Sequence, residues 1–241
     1  ETENYALTVF TAQERKEWEP VIKEVEERTG WNVRVETGSA KEMLSQLEKE
    51  EADWDVAFGV SADALEEGKE YWQTGKDAWT GYSAVSFVIL YNTNVVTYRE
   101  LPTGWDSLLE PRWKGRVAVP DPLKSDMAAS VLTEAAKNSE KEEFLDLLAE
   151  NMQYQMPETF KEVEQGISDG RYSIGVTSEE AAKAMLAAGQ DVDYIDPEEG
   201  ECFFEDGTAI RKRTPNLDAS EAFVTYTTCD DTKWLLQTQL L

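Results

Sequence analysis

A strict alternation of short apolar strands with amphipathic helices opens the chain, and no other feature constrains the fold as much. ALTVF (6–10), NVRVE (32–36) and DVAF (55–58) have strand length and β-type composition. A helix is expected over 14–29, where Trp18, Ile22, Val25 and Thr29 recur at helical spacing and Gly30 stands at the stop. A second, over 40–51, places Met43, Leu44 and Leu47 on one face, and a short helix follows Ser61. Strands joined through crossover helices pair in parallel and are covered by those helices, so the class is α/β.

The pattern continues to the end of the chain. AVSFVILYN (84–92) is the longest β-type run, and a loop-rich passage with Pro102, Gly104, Trp105, Pro111 and Gly115 follows. GRVAV (115–119) reads as a strand ending at Pro120. Helices are expected near 126–137, 140–150 and 158–168, the middle one opened by a capping box from Ser139 to Glu142. YSIGV (172–176), VDYI (192–195) and TAIRKR (208–213) read as strands, and a helix over 179–188 stops at Gly189. Two terminal helices close the chain, one capped by Asp218 with Glu221 three residues on.

Small hydroxyl residues recur where strand hands over to helix: Thr11, Thr37 and Ser39, Ser61, Ser125, and Thr177 with Ser178. In an open parallel sheet these junctions lie at the carboxyl edge, where ligands bind. Each helix start also carries unpaired N–H groups and about half a positive charge. Ser39 with Glu42 reads as a capping box; the alternative reading is that the junction also holds an anion or a polar ligand. Collected at one edge, such junctions make a hydrogen-bonding cleft.

Composition removes many chemistries. There is no histidine, so a Ser-His-Asp triad, a Cys-His pair and a histidine-ligated metal site are excluded. Two cysteines exclude a four-cysteine metal site, and their spacing is compatible with one disulfide or two thiols. GxSxG, P-loop and GxGxxG motifs are absent, and carboxylates are too abundant to mark a catalytic pair, so a binding protein is expected rather than an enzyme, with no cofactor. With 23 Lys plus Arg against 49 Asp plus Glu the formal charge is −26, which repels nucleic acid. No run approaches the roughly 20 apolar residues of a membrane span, and the first ten residues lack the pattern of a signal peptide.

The stretches LTVFTAQ, ERTGWNVRVETGSAKEML and DVAFGVSADAL resemble the amino-terminal lobe of the extracellular solute-binding proteins of bacterial ABC importers. The resemblance lies in the branch holding ferric-iron, thiamine, phosphonate and hexose-phosphate binders. It continues through FVILYNTNVV, LPTGWDSLLEPRWKGRVAVPDPLKSDMA, GISDGRYSIGVTSEEAAKAMLAAG and VDYIDPEEG to AIRKRTPNLDASEAF. It implies an α/β, two-lobed type II periplasmic-binding-protein fold with mixed, mainly parallel sheets and two crossing hinge strands. Lobe 1 would be residues 1–87 plus 206–241 and lobe 2 residues 88–205, with the ligand held in a cleft between lobes that close on it. The chain is shorter than that pattern after DALEEGKEY and lacks its carboxyl-terminal tail.

The resemblance also suggests a ligand. Ferric-iron members use paired tyrosines near the position of IGVTSEEAA; here Thr177, Ser178, Glu179 and Glu180 stand there. Thr11 with its neighbour Ala12, Gly38, Ser39, Ser61, Ser125 and Asp126 match the hydroxyl-rich positions of phosphate- and phosphonate-binding relatives. Hydroxyls and helix N–H groups satisfy phosphoryl oxygens without Arg or Lys. Glu179 and Glu180 would accept hydrogen bonds from sugar hydroxyls or an ammonium group, or Glu180 would form a capping box with Thr177. Trp79 and Tyr82 would stack on a ligand or serve as core aromatics. The implied protein is a monomer outside the cytoplasm, periplasmic or lipid-anchored at the cell surface after removal of a signal. It would deliver a small polar, phosphorylated or phosphonate-type ligand to an ABC permease. Alternatives are a sensing domain for a two-component kinase and a ferric-iron-type binder. An exported chain of this kind favours a Cys202–Cys229 disulfide.

Overall fold

The computed structural model describes residues 5–13, 15–73 and 78–229. The chain divides into two compact units, residues 1–84 with 205–241 and residues 85–204.

Unit 1 begins with β1 (Leu7–Thr11), α1 (Arg15–Thr29), β2 (Val33–Thr37), α2 (Ala40–Glu48), β3 (Val56–Ser61) and α3 (Ala62–Glu67). β1 is central and parallel to both neighbours, with Thr11 level with Thr37 on β2 and with Phe58 on β3. Alternation along β1 sends Leu7 and Val9 to one side, against Val21, Ile22 and Val25 of α1. Phe10 faces the other way, into Met43, Leu47, Trp54 and Trp72. Both indoles there are buried and bonded, Trp54 Nε1 donating to Gln46 and Trp72 Nε1 to the Leu65 carbonyl, each at 2.7 Å. Gly30 closes α1 with φ +70°, a left-handed stop that costs glycine little.

β4 (Thr80–Asn92) starts in unit 1 and ends in unit 2. It begins four residues before the expected strand because Tyr82 is a core residue, stacked on Phe58 with ring centroids 5.0 Å apart.

Unit 2 continues with β5 (Val117–Ala118), α4 (Asp126–Asn138), α5 (Phe144–Asn151), α6 (Phe160–Ser168), β6 (Ile174–Ser178), α7 (Glu179–Ala187) and β7 (Val192–Ile195). β6 is parallel to β5 and antiparallel to β4, and β7 is also antiparallel to β4, so this sheet is mixed. β5 is shorter than expected, since Gly115 (φ +72°) and Pro120 flank it. α5 starts at Phe144, not at 140. Ser139 instead ends α4; its hydroxyl donates to Asp106 and accepts from the Lys141 amide, so it does not form the expected box with Glu142.

β8 (Cys202–Ile210) leaves unit 2 and enters unit 1, where it runs antiparallel to β3. It starts earlier than the expected 208–213 segment and ends at Ile210; beyond it, Arg211 donates to the Trp54 carbonyl. α8 (Leu217–Thr227) follows Asn216 at its cap position, which places Asp218 inside the first turn and not at the cap. Its Phe223 meets Phe58 edge-on in the unit 1 core. The second terminal helix of the sequence reading lies outside the described residues.

Cys202 is buried and Cys229 partly exposed, and neither is in a disulfide. Cys202 packs in the unit 2 core beside Asn138, so the expected Cys202–Cys229 disulfide is not formed. Among the described residues no helix is long and apolar enough to cross a membrane.

Candidate ligand-binding residues at the strand ends

In unit 1 the carboxyl ends of β2, β1 and β3 carry Thr37, Thr11 and Ser61. Thr11 is fully buried, and its hydroxyl accepts the Gln13 amide at 3.2 Å; Ala12 is exposed. The Gly38 amide donates to the Thr11 carbonyl at 3.1 Å, which ties the β2 end to the β1 end. A side chain at Gly38 would stand 3.0 Å from both the Phe10 ring and the Glu42 carboxylate, so glycine permits that approach.

Ser39 is the cap of α2. Its amide and hydroxyl both donate to Glu42 Oε2, at 2.7 and 3.0 Å, and its Oγ accepts the Glu42 amide at 3.2 Å. These bonds hold the Glu42 carboxyl below the usual carboxylate range. The α2 start thus already holds an anion, supplied by its own third residue. Ser61 differs: it precedes α3 with no side-chain cap bond.

In unit 2, Ser125 caps α4 by accepting the Ala128 amide at 3.2 Å, and Ser178 caps α7 by accepting the Ala181 amide at 3.1 Å. Both serines follow the carboxyl edge of the parallel pair β5 and β6. Asp126 is exposed at the first position of α4. Glu179 opens α7 and pairs with Lys183 at 2.7 Å. Thr177 points inward, fully buried, and its hydroxyl donates to Glu164 at 2.6 Å. Ser178 therefore takes the cap position, and the Thr177–Glu180 box does not form. Glu164 is half-buried, and burial raises its carboxyl above the ordinary range despite the bond from Thr177.

Two unit 1 residues that the sequence reading did not single out, Asp206 and Gln13, meet at the β3–β8 ladder end. Asp206 on β8 is directly opposite Ser61 in the β3–β8 register. Its Oδ2 accepts the Gln13 side-chain amide at 3.2 Å, and the same amide donates to the Tyr82 hydroxyl at 3.1 Å. Burial pushes the Asp206 carboxyl up to about 7; the Gln13 bond opposes this and the nearby Glu17 adds to it. Among the described residues Gln13 Oε1 is buried without a partner. Gln13 fits only because position 59 is glycine: a Cβ there would come within 2.4 Å of the Gln13 amide carbon, and Gly59 has φ +65°. Gly59, in the strand AFGVS, is the one sequence signal for this cluster. Trp79 is partly exposed, its indole 3.4 Å from Glu66. Among the described residues no group of three or more His, Cys, Asp and Glu is placed to hold a metal ion.

Parallel strands with hydroxyl-capped helices at their carboxyl edges, in two units joined by strands that pass from one to the other, define a type II periplasmic-binding-protein fold. The sequence model described as bacterial extracellular solute-binding protein matches residues 58–239, and the chain belongs to that family. It is a family of binding proteins that take up small ligands outside the cytoplasm and work with membrane transporter or sensor components. Among solved structures, the ferric binding protein from Campylobacter jejuni is similar, with a TM-score of 0.79 at 18% identity over 94% of this chain and 82% of that one. Iron-bound HitA from Pseudomonas aeruginosa has a TM-score of 0.79 at 16% identity over 97% and 84% of the two chains. AfuA from Actinobacillus pleuropneumoniae, with fructose-6-phosphate bound, has a TM-score of 0.73 at 16% identity over 97% and 82%. No curated protein sequence matches the chain.

Proposed function

We propose that this chain captures a small phosphorylated or phosphonate-type organic ligand outside the cytoplasm and delivers it to an ABC permease. The observation that carries this reading is the pair of serine-capped helix starts in unit 2. At α4 and α7 the serine takes the amide at the third helical position, which leaves the amides of Asp126 and Met127, and of Glu179 and Glu180, as donors for phosphoryl oxygens. The serine hydroxyl protons add to these donors. AfuA, which has a similar fold, has fructose-6-phosphate bound, and this supports the reading. The formal charge of −26 slows encounter with an anion but acts weakly on a bound one, since screening is strong beyond roughly 8 Å at physiological salt. Presentation to a sensor kinase would use the same ligand chemistry.

The test is calorimetry and thermal unfolding with inorganic phosphate, 2-hydroxyethyl phosphate, hexose phosphates and alkylphosphonates. A compound at a hundred times its Kd adds about 2.7 kcal/mol of stability. Ser125→Ala and Ser178→Ala are expected to weaken binding more than they destabilise the fold. Silence across every phosphoryl compound overturns the reading.

A further inference from the structure

Resting on the reading of the strand ends as the ligand-binding edge, we propose that Asp206 and Ser61 in unit 1 form a subsite for a cationic nitrogen of the ligand. Asp206 lies in the middle of β8, at the last pair of its ladder with β3, directly across from Ser61 at the end of β3, and side chains of such a pair lie on one face of the sheet. One carboxylate oxygen, Oδ2, is held by Gln13. Gln13 is itself fixed by Tyr82 and by the close fit over Gly59, so the carboxylate is preorganised. The Ser61 hydroxyl, unlike those of Ser39, Ser125 and Ser178, takes no helix-capping bond and is available as an acceptor.

Among the described residues the cluster has no positive charge. Asp206 is in no ion pair among the described residues, and the titratable groups acting on it are Glu17 of α1, which repels it, and Tyr82 of β4, itself held protonated by burial and by Asp206. A carboxylate withdrawn from water by burial, with no cation acting on it among the described residues, is unfavourable alone and favourable once a cation arrives. The raised titration of Asp206 has that origin. An ammonium group satisfies the free carboxylate oxygen and Ser61 Oγ together, by charge-assisted hydrogen bonds. A neutral hydroxyl would supply a single donor and leave the charge uncompensated.

The experiment compares O-phosphoethanolamine with 2-hydroxyethyl phosphate, which differ by ammonium against hydroxyl, alongside ethanolamine and inorganic phosphate. At pH 8 the phosphoethanolamine Kd is expected to be at least about tenfold lower than that of its hydroxyl analogue. Asp206→Asn should abolish that preference by weakening phosphoethanolamine binding far more than binding of 2-hydroxyethyl phosphate, and Ser61→Ala should reduce it in part. In the unsubstituted protein the preference should shrink by up to about tenfold per pH unit below 7, as Asp206 takes up a proton; this arm decides if the Asn variant does not fold. Equal affinity for the matched pair, a preference that survives Asp206→Asn, or no binding of either amine overturns the proposal. Ethanolamine binding without any phosphate binding would overturn the phosphoryl reading and leave this subsite standing.

Discussion

Glu199 closes on the start of the turn that begins at Trp105: its two carboxylate oxygens accept the amides of Trp105 and Asp106, each at 3.0 Å, and the Trp105 indole donates to the Gly200 carbonyl at 2.8 Å. The WDSLL strip and the PEEG turn are thus two halves of one joint inside unit 2. Glu199 works there as a fixed internal anion on a short helical turn.

Removing one half of that joint should unfold unit 2 more easily without touching the proposed ligand residues. Glu199→Ala is expected to cost about 1–3 kcal/mol, because the amides of Trp105 and Asp106 lose their acceptor. Gly104→Ala should cost at least as much, since its Cβ would fall 1.5 Å from Glu199 Oε2. Urea denaturation of both variants measures this, and unchanged midpoints would contradict it.

At α2 the expected loss is one of stability. Ser39→Ala removes the cap and one of the two bonds that anchor Glu42, leaving the backbone amide's, and a loss of about 1 kcal/mol is expected. Glu42→Gln should cost less, because the amide oxygen keeps a bond to the Ser39 amide. Thermal unfolding of the two variants gives the comparison.

Asp206 should make the ligand-free protein less stable as pH rises. Its folded carboxyl titrates at about 7, above the unfolded value of about 3.9, so the folded state holds the extra proton between these limits. Stability should therefore fall as pH rises from about 4 to about 7, by an amount of order 2–4 kcal/mol from this group, and level off above. Asp206→Asn should remove that component. The difference between the two pH–stability curves isolates it from the other carboxylates.

The thiols should behave unequally. Burial, with Glu134 and Glu199 acting the same way, pushes Cys202 up to about 12, so it holds almost no thiolate at neutral pH. A disulfide-exchange reagent should find two thiols in denaturant, with Cys202 reacting only on unfolding. Detection of no thiol in denaturant would restore the disulfide.

Much of the frame was readable from short-range pattern. The 3.6 and 2.0 periods located β1, α1, β2, α2 and β3 to within a few residues, because a face must be buried and its spacing is local. The Ser39–Glu42 box was readable too, since its partners are three residues apart. Ser139 was misread because its spacing to Glu142 suits a box, while Asp106, 33 residues away in sequence, takes its hydroxyl.

The sequence by itself determined the order of strands and helices, the parallel start of the sheet and the hydroxyl residues at its carboxyl edge. Tertiary structure alone decided which of those hydroxyls are open to a ligand. Thr177 turns to Glu164 across 13 positions, and Gln13 meets Asp206 across 193. Such partners are chosen by packing between elements far apart in the chain, where residue spacing carries no signal. A polar group's availability depends on the neighbour that packing delivers to it.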